Sequence, residues 1–164
     1  MSKPNKVFLN PITIEGAQLR FRNFSGSANK YNEEGKRNFC VFLSPDVAET
    51  LRRDGWNVRW LEPRDPEEDK QAYLQVKVVF KNFPPKIVLI TSKNTKTDLD
   101  EGSVMLLDLA EIANVDLIIR PYSWGPINGK SGVAAYLKTM YVTLKADEFA
   151  GKYKDVPTAE DDEY

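Results

Sequence analysis

The sequence predicts a mainly β protein, a small antiparallel Greek-key barrel of the OB type with one or two short helices. Several short runs alternate apolar and polar residues, each about ten residues from the next. Strands and helices do not alternate along the sequence as they would in a parallel sheet with helical connections. A β-sandwich stays open as an alternative, because the same alternation would serve two packed sheets.

The length of 164 residues predicts one domain large enough to bury a core. The apolar pattern is lost after Phe149. We therefore place the domain at residues 1–150 and a flexible acidic tail at residues 151–164. Apolar residues make up 41% of the chain and aromatic residues 11%, which argues against global disorder. No apolar stretch approaches ~20 residues, and the N-terminus lacks the apolar region of a secretory signal, so we expect no membrane association.

The chain has no histidine and one cysteine, Cys40, which lies in an apolar run. This composition excludes zinc-finger, zinc-hydrolase and Cys–His sites, and we expect no cofactor and no metal. Cys40 is interpreted as a buried small side chain, consistent with a reducing cytosol.

The first strand is predicted at Val7–Ile14, weakened by Pro11 and therefore at an edge. Alternation in the second strand directs Leu19 and Phe21 toward the core. The opposite face then carries Arg20, Arg22 and Phe24.

A polar loop follows from Ser25 to Lys36, and a third strand runs from Arg37 to Leu43. Ser44, Pro45 and Asp46 predict the start of a short helix that ends at Gly55.

A strand from Trp56 to Leu61 comes next, with Trp56 and Trp60 on its core face, and Glu62–Lys70 is a charged loop. Tyr73–Lys81 is the clearest strand, with Leu74, Val76, Val78 and Phe80 directed inward. The remaining predicted elements are a strand at Lys86–Thr91, a polar loop at Ser92–Asp100, a short helix at Ser103–Asn114 and a hairpin of Val115–Trp124 with Val133–Leu144.

The stretch from Gly125 to Ser131 resembles a phosphate-binding P-loop but is one residue short, and a strand rather than a helix follows it. We therefore interpret Asn128-Gly129 as a hairpin turn. A carboxylate–metal nuclease site is the enzymatic alternative, but solvated or helix-capping roles fit its candidate acids better. These acids are Asp98, Asp100, Glu101, Asp108, Glu111 and Asp116.

Cations and aromatic residues share strand faces at several places, which indicates a surface for single-stranded nucleic acid. Guanidinium and ammonium groups bind phosphates, and aromatic rings stack on unpaired bases. An ordinary solvated strand face is the alternative for each position. The candidate contacts are Arg20, Arg22, Phe24, Lys30, Tyr31, Arg37, Tyr73, Lys77, Arg120, Tyr122, Trp124 and Lys130.

The net charge of −1 hides an uneven distribution. Residues 155–164 hold five acids and no base; without them the 24 acids become 19 against 23 Lys and Arg, about +4 for the rest of the chain. An acidic end on a basic binding domain can compete with nucleic acid for the same groove or dock onto another protein. The residues of this predicted partner-binding tail are Glu160, Asp161, Asp162, Glu163 and Tyr164.

Several segments resemble a family of phage and prophage single-stranded DNA-binding proteins over roughly residues 15–150. The segments are RNFSGSANKYNEEGKRNFCVFL, GWNVRWLEPRDP, AYLQVKVVF, PPKIVLITS, VDLIIRPYSW and GVAAYLKTMYVTL. The resemblance implies an OB-fold core, sequence-independent binding of single-stranded DNA and a role in phage replication or recombination in the bacterial host cytoplasm. The acidic end is similar to the C-terminal tails of phage single-stranded DNA-binding proteins that recruit a polymerase or a helicase.

We therefore expect a non-enzymatic protein that coats single-stranded DNA, with homo-oligomerisation left open. Two alternatives remain at this stage: a β-rich assembly module that binds no nucleic acid, and the carboxylate–metal nuclease. Magnesium-dependent cleavage would identify the nuclease, and particle-like oligomers without DNA affinity would identify the assembly module.

Overall fold

A computed structural model describes residues 9–91 and 93–146 of the chain. These residues form nine strands, one α-helix and one 3-10 helix at Val104–Asp108. The strands and the helix are β1 (Ile12–Ile14), β2 (Leu19–Asn23), β3 (Arg37–Leu43), α1 (Pro45–Arg53), β4 (Val58–Leu61), β5 (Gln71–Val78), β6 (Lys86–Ile90), β7 (Lys96–Leu99), β8 (Ile112–Ile127) and β9 (Lys130–Leu144).

The strands form one mixed sheet in the order β1-β8-β9-β5-β3-β2, with β4 on β5 and with β6 joining β9 to β7. Most pairs are antiparallel, whereas β9 runs parallel to β5 and β6. The strand ladder is not closed, but the chain between β1 and β2 bonds to both β8 and β3, the strands next to the two ends of the order. The Ala17 N–H donates to the Val115 carbonyl at 2.8 Å, and the Phe42 N–H donates to the Gln18 carbonyl at 3.0 Å. The prediction of a mainly β, OB-type architecture is confirmed.

The helix begins where its capping residues predict. The Ser44 hydroxyl accepts from the Val47 N–H at 3.4 Å, and Pro45 occupies the first turn, where its missing N–H costs no hydrogen bond. Gly55 follows the helix with φ +92°, a backbone conformation that favours glycine.

Two predicted elements and one predicted core residue need correction. Residues 96–99 form strand β7 within the predicted polar loop, because the backbone of Lys96–Leu99 pairs with β6 and its polar side chains stay in solvent. The predicted helix at Ser103–Asn114 shortens to one 3-10 helix, since β8 already begins at Ile112 and pairs with β9. Trp60 is 41% exposed rather than in the core.

The first strand, predicted from Val7 to Ile14, is observed only at Ile12–Ile14. Residues 1–8 lie outside the described part of the chain, as does the predicted tail.

A bulge in β2 reverses the predicted positions of two phenylalanines. Phe21 has φ +53°, and the register with β3 shifts between Arg20 and Asn23. Phe21 is therefore 61% exposed, and Phe24 is fully buried. The Phe24 ring stacks on Phe39 with 5.2 Å between centroids, so the prediction that Phe24 shares an outer face with Arg20 and Arg22 is wrong.

The long hairpin of β8 and β9 is confirmed, and it turns at Asn128-Gly129. Both turn residues have positive φ, +52° and +77°, as a two-residue turn between twisted strands requires. One apolar core underlies the sheet, with inward residues from β3, β5, β8 and β9 fully buried. In residues 9–91 and 93–146, no helix is long and apolar enough to cross a membrane.

The burial of Phe24 generates a prediction about stability. We expect Phe24→Ala to lower the free energy of unfolding by about 3–5 kcal/mol, because it removes a buried ring and leaves a cavity. The matched control is Phe83→Ala, since Phe83 is 75% exposed and its removal should change the free energy by about 0.5 kcal/mol or less. Urea unfolding measures both, and equal effects of the two substitutions would contradict the burial of Phe24.

Candidate nucleic-acid interface

Four strands carry a continuous row of polar and aromatic side chains on the outer face of the sheet. The strand registers pair Asn38 with Lys77, Lys77 with Tyr136, and Tyr136 with Arg120. Residues directly opposite each other on neighbouring strands share a face of the sheet. The row therefore crosses β3, β5, β9 and β8 in succession.

Tyr136 lies at the centre of this row between two cations. The Lys77 ammonium is 5.8 Å from its ring centroid, and the Arg120 guanidinium carbon is 5.5 Å from it. Arg120 is also 5.7 Å from the ring of Phe83, and Tyr122 meets Tyr136 edge-on at 5.9 Å. Cation–π contacts thus fix the position of Arg120 while leaving its N–H donors free for another partner.

Three adjoining clefts continue this row into one surface, which we call the outer groove. The first cleft has a volume of about 1150 Å³ and extends from Phe21 and Tyr73 to the loop before β3. The second lies between this loop and Tyr136, and the third continues toward Trp124. The outer groove is lined by Phe21, Lys30, Tyr31, Arg37, Arg59, Tyr73, Gln75, Lys77, Tyr136 and Trp124.

The loop between β2 and β3 is braced by the side chain of Asn32. Its amide nitrogen donates to the carbonyls of Ser27 at 3.0 Å, Glu33 at 3.0 Å and Lys36 at 2.9 Å. The bracing presents Tyr31 next to the first two clefts with 89% of its surface exposed. Because the backbone of the loop is already held, the loop loses little further conformational entropy when Tyr31 contacts a ligand.

The structure brings most of the predicted contact residues together. Arg120 and Tyr122 join the groove through Tyr136. Arg37 lies at its edge, half-buried, with one guanidinium nitrogen 3.4 Å from Glu101. The predicted residues that line the groove itself are Lys30, Tyr31, Arg37, Tyr73, Lys77 and Trp124.

Four predicted contact residues are placed differently. Phe24 is in the core, where its ring has no free face for a base. Arg22 reaches the rim of the first cleft, but its guanidinium donates to the Leu107 and Ala110 carbonyls at 2.8 and 2.9 Å and so anchors the 3-10 helix. Arg20 lies outside the three clefts, over the Phe42 ring at 4.7 Å, and Lys130 is exposed at the hairpin turn.

Four residues that line the outer groove were not among the contacts predicted from the sequence. Gln75 and Arg59 face outward by strand alternation, so the pattern held a signal for both. Tyr136 likewise alternates with the buried Ala135 and Leu137. Phe21 carried no such signal, because the bulge that turns it outward breaks the alternation.

Cys40 lies in the floor of the first cleft and is buried. Burial raises the pKa of its thiol to about 11, and the nearby Arg59 guanidinium partly opposes this shift. The thiol is therefore neutral near pH 7 and adds no negative charge to the groove.

The acids considered for a nuclease site serve the fold where the structure describes their contacts. Asp108 accepts from the N–H groups of Phe24 at 2.6 Å and Ser25 at 3.1 Å. Asp116 accepts from the Gly16 N–H, and Asp100 from the Gly102 N–H. Within residues 9–91 and 93–146, no three metal-ligating side chains come together.

The fold and the groove define a class: an OB-type, mainly β protein with a basic and aromatic outer face. Solved structures share the fold. The chain is similar to the single-stranded DNA-binding protein of bacteriophage Enc34 in complex with ssDNA, with TM-score 0.53, 10% identity, and coverage of 85% of this chain and 89% of the other. A second structure of that phage protein gives TM-score 0.51 and 11% identity over 85% of this chain and 83% of the other.

Residues 1–164 match the family described as putative phage ssDNA-binding domain, and the chain belongs to this family. No curated protein matches the sequence. The family resemblance seen in the sequence is confirmed, and the chain is a binding protein rather than an enzyme.

Proposed function

We propose that this chain binds single-stranded DNA in the outer groove without regard to sequence. The observation that carries the proposal is the position of Tyr136, flanked by Lys77 and Arg120 at 5.8 and 5.5 Å on neighbouring strands. An unpaired base can stack on the ring while the two cations hold phosphates on either side. The phage family to which the chain belongs supports the same ligand.

The chemistry of the groove favours single strands over duplexes. Its rings, among them Tyr31, Tyr73 and Trp124, need exposed base faces, which a duplex hides in its stack. The one described α-helix, α1, is nine residues long, and its apolar residues Ala48 and Leu51 are buried against the sheet. It therefore presents no long basic face to a major groove.

The proposed biological role is in phage DNA replication or recombination, in the cytoplasm of the bacterial host. Residues 1–150 would form the DNA-binding domain and residues 151–164 the acidic tail. The five acids in the last ten residues are opposite in charge to the cations of the outer groove. The tail would occupy the groove until DNA displaces it, and it would then be available to recruit replication proteins such as a polymerase or a helicase.

Replacing the central ring tests the stacking part of the proposal. We expect Tyr136→Leu to weaken binding to oligo(dT) about 5- to 150-fold, because one stacked base contributes about 1–3 kcal/mol. Tryptophan fluorescence reports the binding, since Trp124 lines the groove. Tyr141→Leu is the matched control on the same strand outside the clefts, and equal weakening in both variants would contradict a specific role of Tyr136.

Removing the flanking cations tests the binding of phosphates. The slope of log K against log salt concentration should become shallower by about 0.7 for each phosphate that is no longer bound. For the double variant with Lys77→Ala and Arg120→Ala we therefore expect the slope to become shallower by about 1.4. Oligo(dT) titrations at several salt concentrations give this slope. Lys96→Ala on β7 removes an exposed cation outside the groove and should leave the slope unchanged. A slope that is unchanged in the double variant would exclude phosphate binding by these two residues.

Deleting residues 155–164 tests the competition by the tail. The shortened chain should bind oligo(dT) more tightly than the full chain, and the difference should shrink at high salt because charge attraction is screened. A matched control keeps the length of the tail and replaces its five acids by Asn and Gln. If the chain with this neutral tail binds DNA as weakly as the unaltered chain, the tail acts by its bulk and not by its charge.

A further inference from the structure

Gln75 occupies the centre of the outer groove. Among the described residues it alone lines all three clefts. It lies on the outer face of β5, exposed, between Tyr73 and Lys77 in the alternation of that strand. A strand of DNA that occupies the three clefts therefore passes beside the Gln75 side chain.

The amide of Gln75 differs both from the cations and from the other amides around it. In the first two clefts the amides of Asn23, Asn32 and Asn38 already donate hydrogen bonds within the protein. Arg59 and Lys77 offer only donors, whereas the amide presents a donor and an acceptor side by side. The Gln75 side chain makes no hydrogen bond to another described residue. Gln71 on the same strand differs, because its amide donates to the Leu43 and Ala72 carbonyls at 3.0 and 2.9 Å and so serves the fold.

We propose that Gln75 recognises the Watson–Crick edges of unpaired bases in the outer groove. This inference rests on the proposed binding of single-stranded DNA. Every base has a donor and an acceptor next to each other on its Watson–Crick edge, and a glutamine amide can turn to match either order. One side chain therefore bonds to any of the four bases, so recognition tolerates every sequence.

The same contact rejects base pairs. In a duplex the donors and acceptors on the Watson–Crick edge of each base are hydrogen-bonded to the partner base. None of them is then free to bond to the Gln75 amide. Selection of single strands then has two sources: rings that need free base faces, and an amide that needs a free base edge. Only the second source is sensitive to a chemical block on the edge.

The experiment compares oligo(dT) with an oligomer of N3-methylthymidine. The methyl group blocks the Watson–Crick edge and leaves the base face and the phosphates in place. We expect the unaltered chain to bind oligo(dT) about 3- to 10-fold more tightly than the methylated oligomer, as the loss of one hydrogen bond, to the N3–H, predicts. Gln75→Leu, similar in size but without the amide, should bind the two oligomers equally.

Gln18→Leu is the matched control, because Gln18 is exposed and lies outside the three clefts. It should keep the preference of the unaltered chain for oligo(dT). Equal binding of both oligomers by the unaltered chain would overturn the inference while the proposed function stands, and so would a preference that survives in Gln75→Leu. Failure of the unaltered chain to bind either oligomer would instead overturn the proposed function. The comparison on the unaltered chain needs no variant, so it can overturn the inference even if Gln75→Leu folds poorly. In that case Gln75→Met serves as the second variant without the amide, and it should bind the two oligomers equally.

Discussion

The register of four strands is the constraint on which the outer face depends. β3, β5, β9 and β8 are aligned so that Lys77, Tyr136 and Arg120 lie side by side on one face. The opposite faces of the same strands supply the core, where Val76 and Ala135 are buried. A slip of one residue would send the cations into the core and apolar side chains into solvent. The hydrophobic core therefore fixes the arrangement of side chains in the outer groove.

The packing of cations against rings explains how a chain of net charge −1 presents a basic binding surface. Arg120 contacts the rings of Phe83 and Tyr136 and pairs with no carboxylate among the described residues, so aromatic contacts set its position there. A salt bridge at this place would neutralise the cation and use up its donors. Ring contacts avoid both effects, which leaves the guanidinium available for the phosphate that the proposed function assigns to it. Arg22 shows a different outcome, since one of its guanidinium nitrogens donates to the carbonyls of Leu107 in the 3-10 helix and of Ala110 just after it.

Strong local signals account for the elements that sequence reasoning located. Alternation identified β5 and the β8–β9 hairpin, and the capping residues Ser44 and Pro45 identified the start of α1. The errors fall where local signals are weak. Strand β7 has the polar sequence of a loop and exists only because β6 offers it backbone partners. The bulge at Phe21 shifts the register by a tertiary pairing with β3 that no local pattern records.

Sequence alone determined which strands have two unlike faces, because side-chain alternation is a local property of an extended backbone. It also determined the family and the excess of positive charge in residues 1–154. Tertiary structure decided which of these faces adjoin, and thus that Tyr136 and Gln75 belong to the groove while Phe24 belongs to the core. The reason is that β5 and β9 pair over a separation of about 60 residues, and such non-local pairing depends on the packing of the whole sheet.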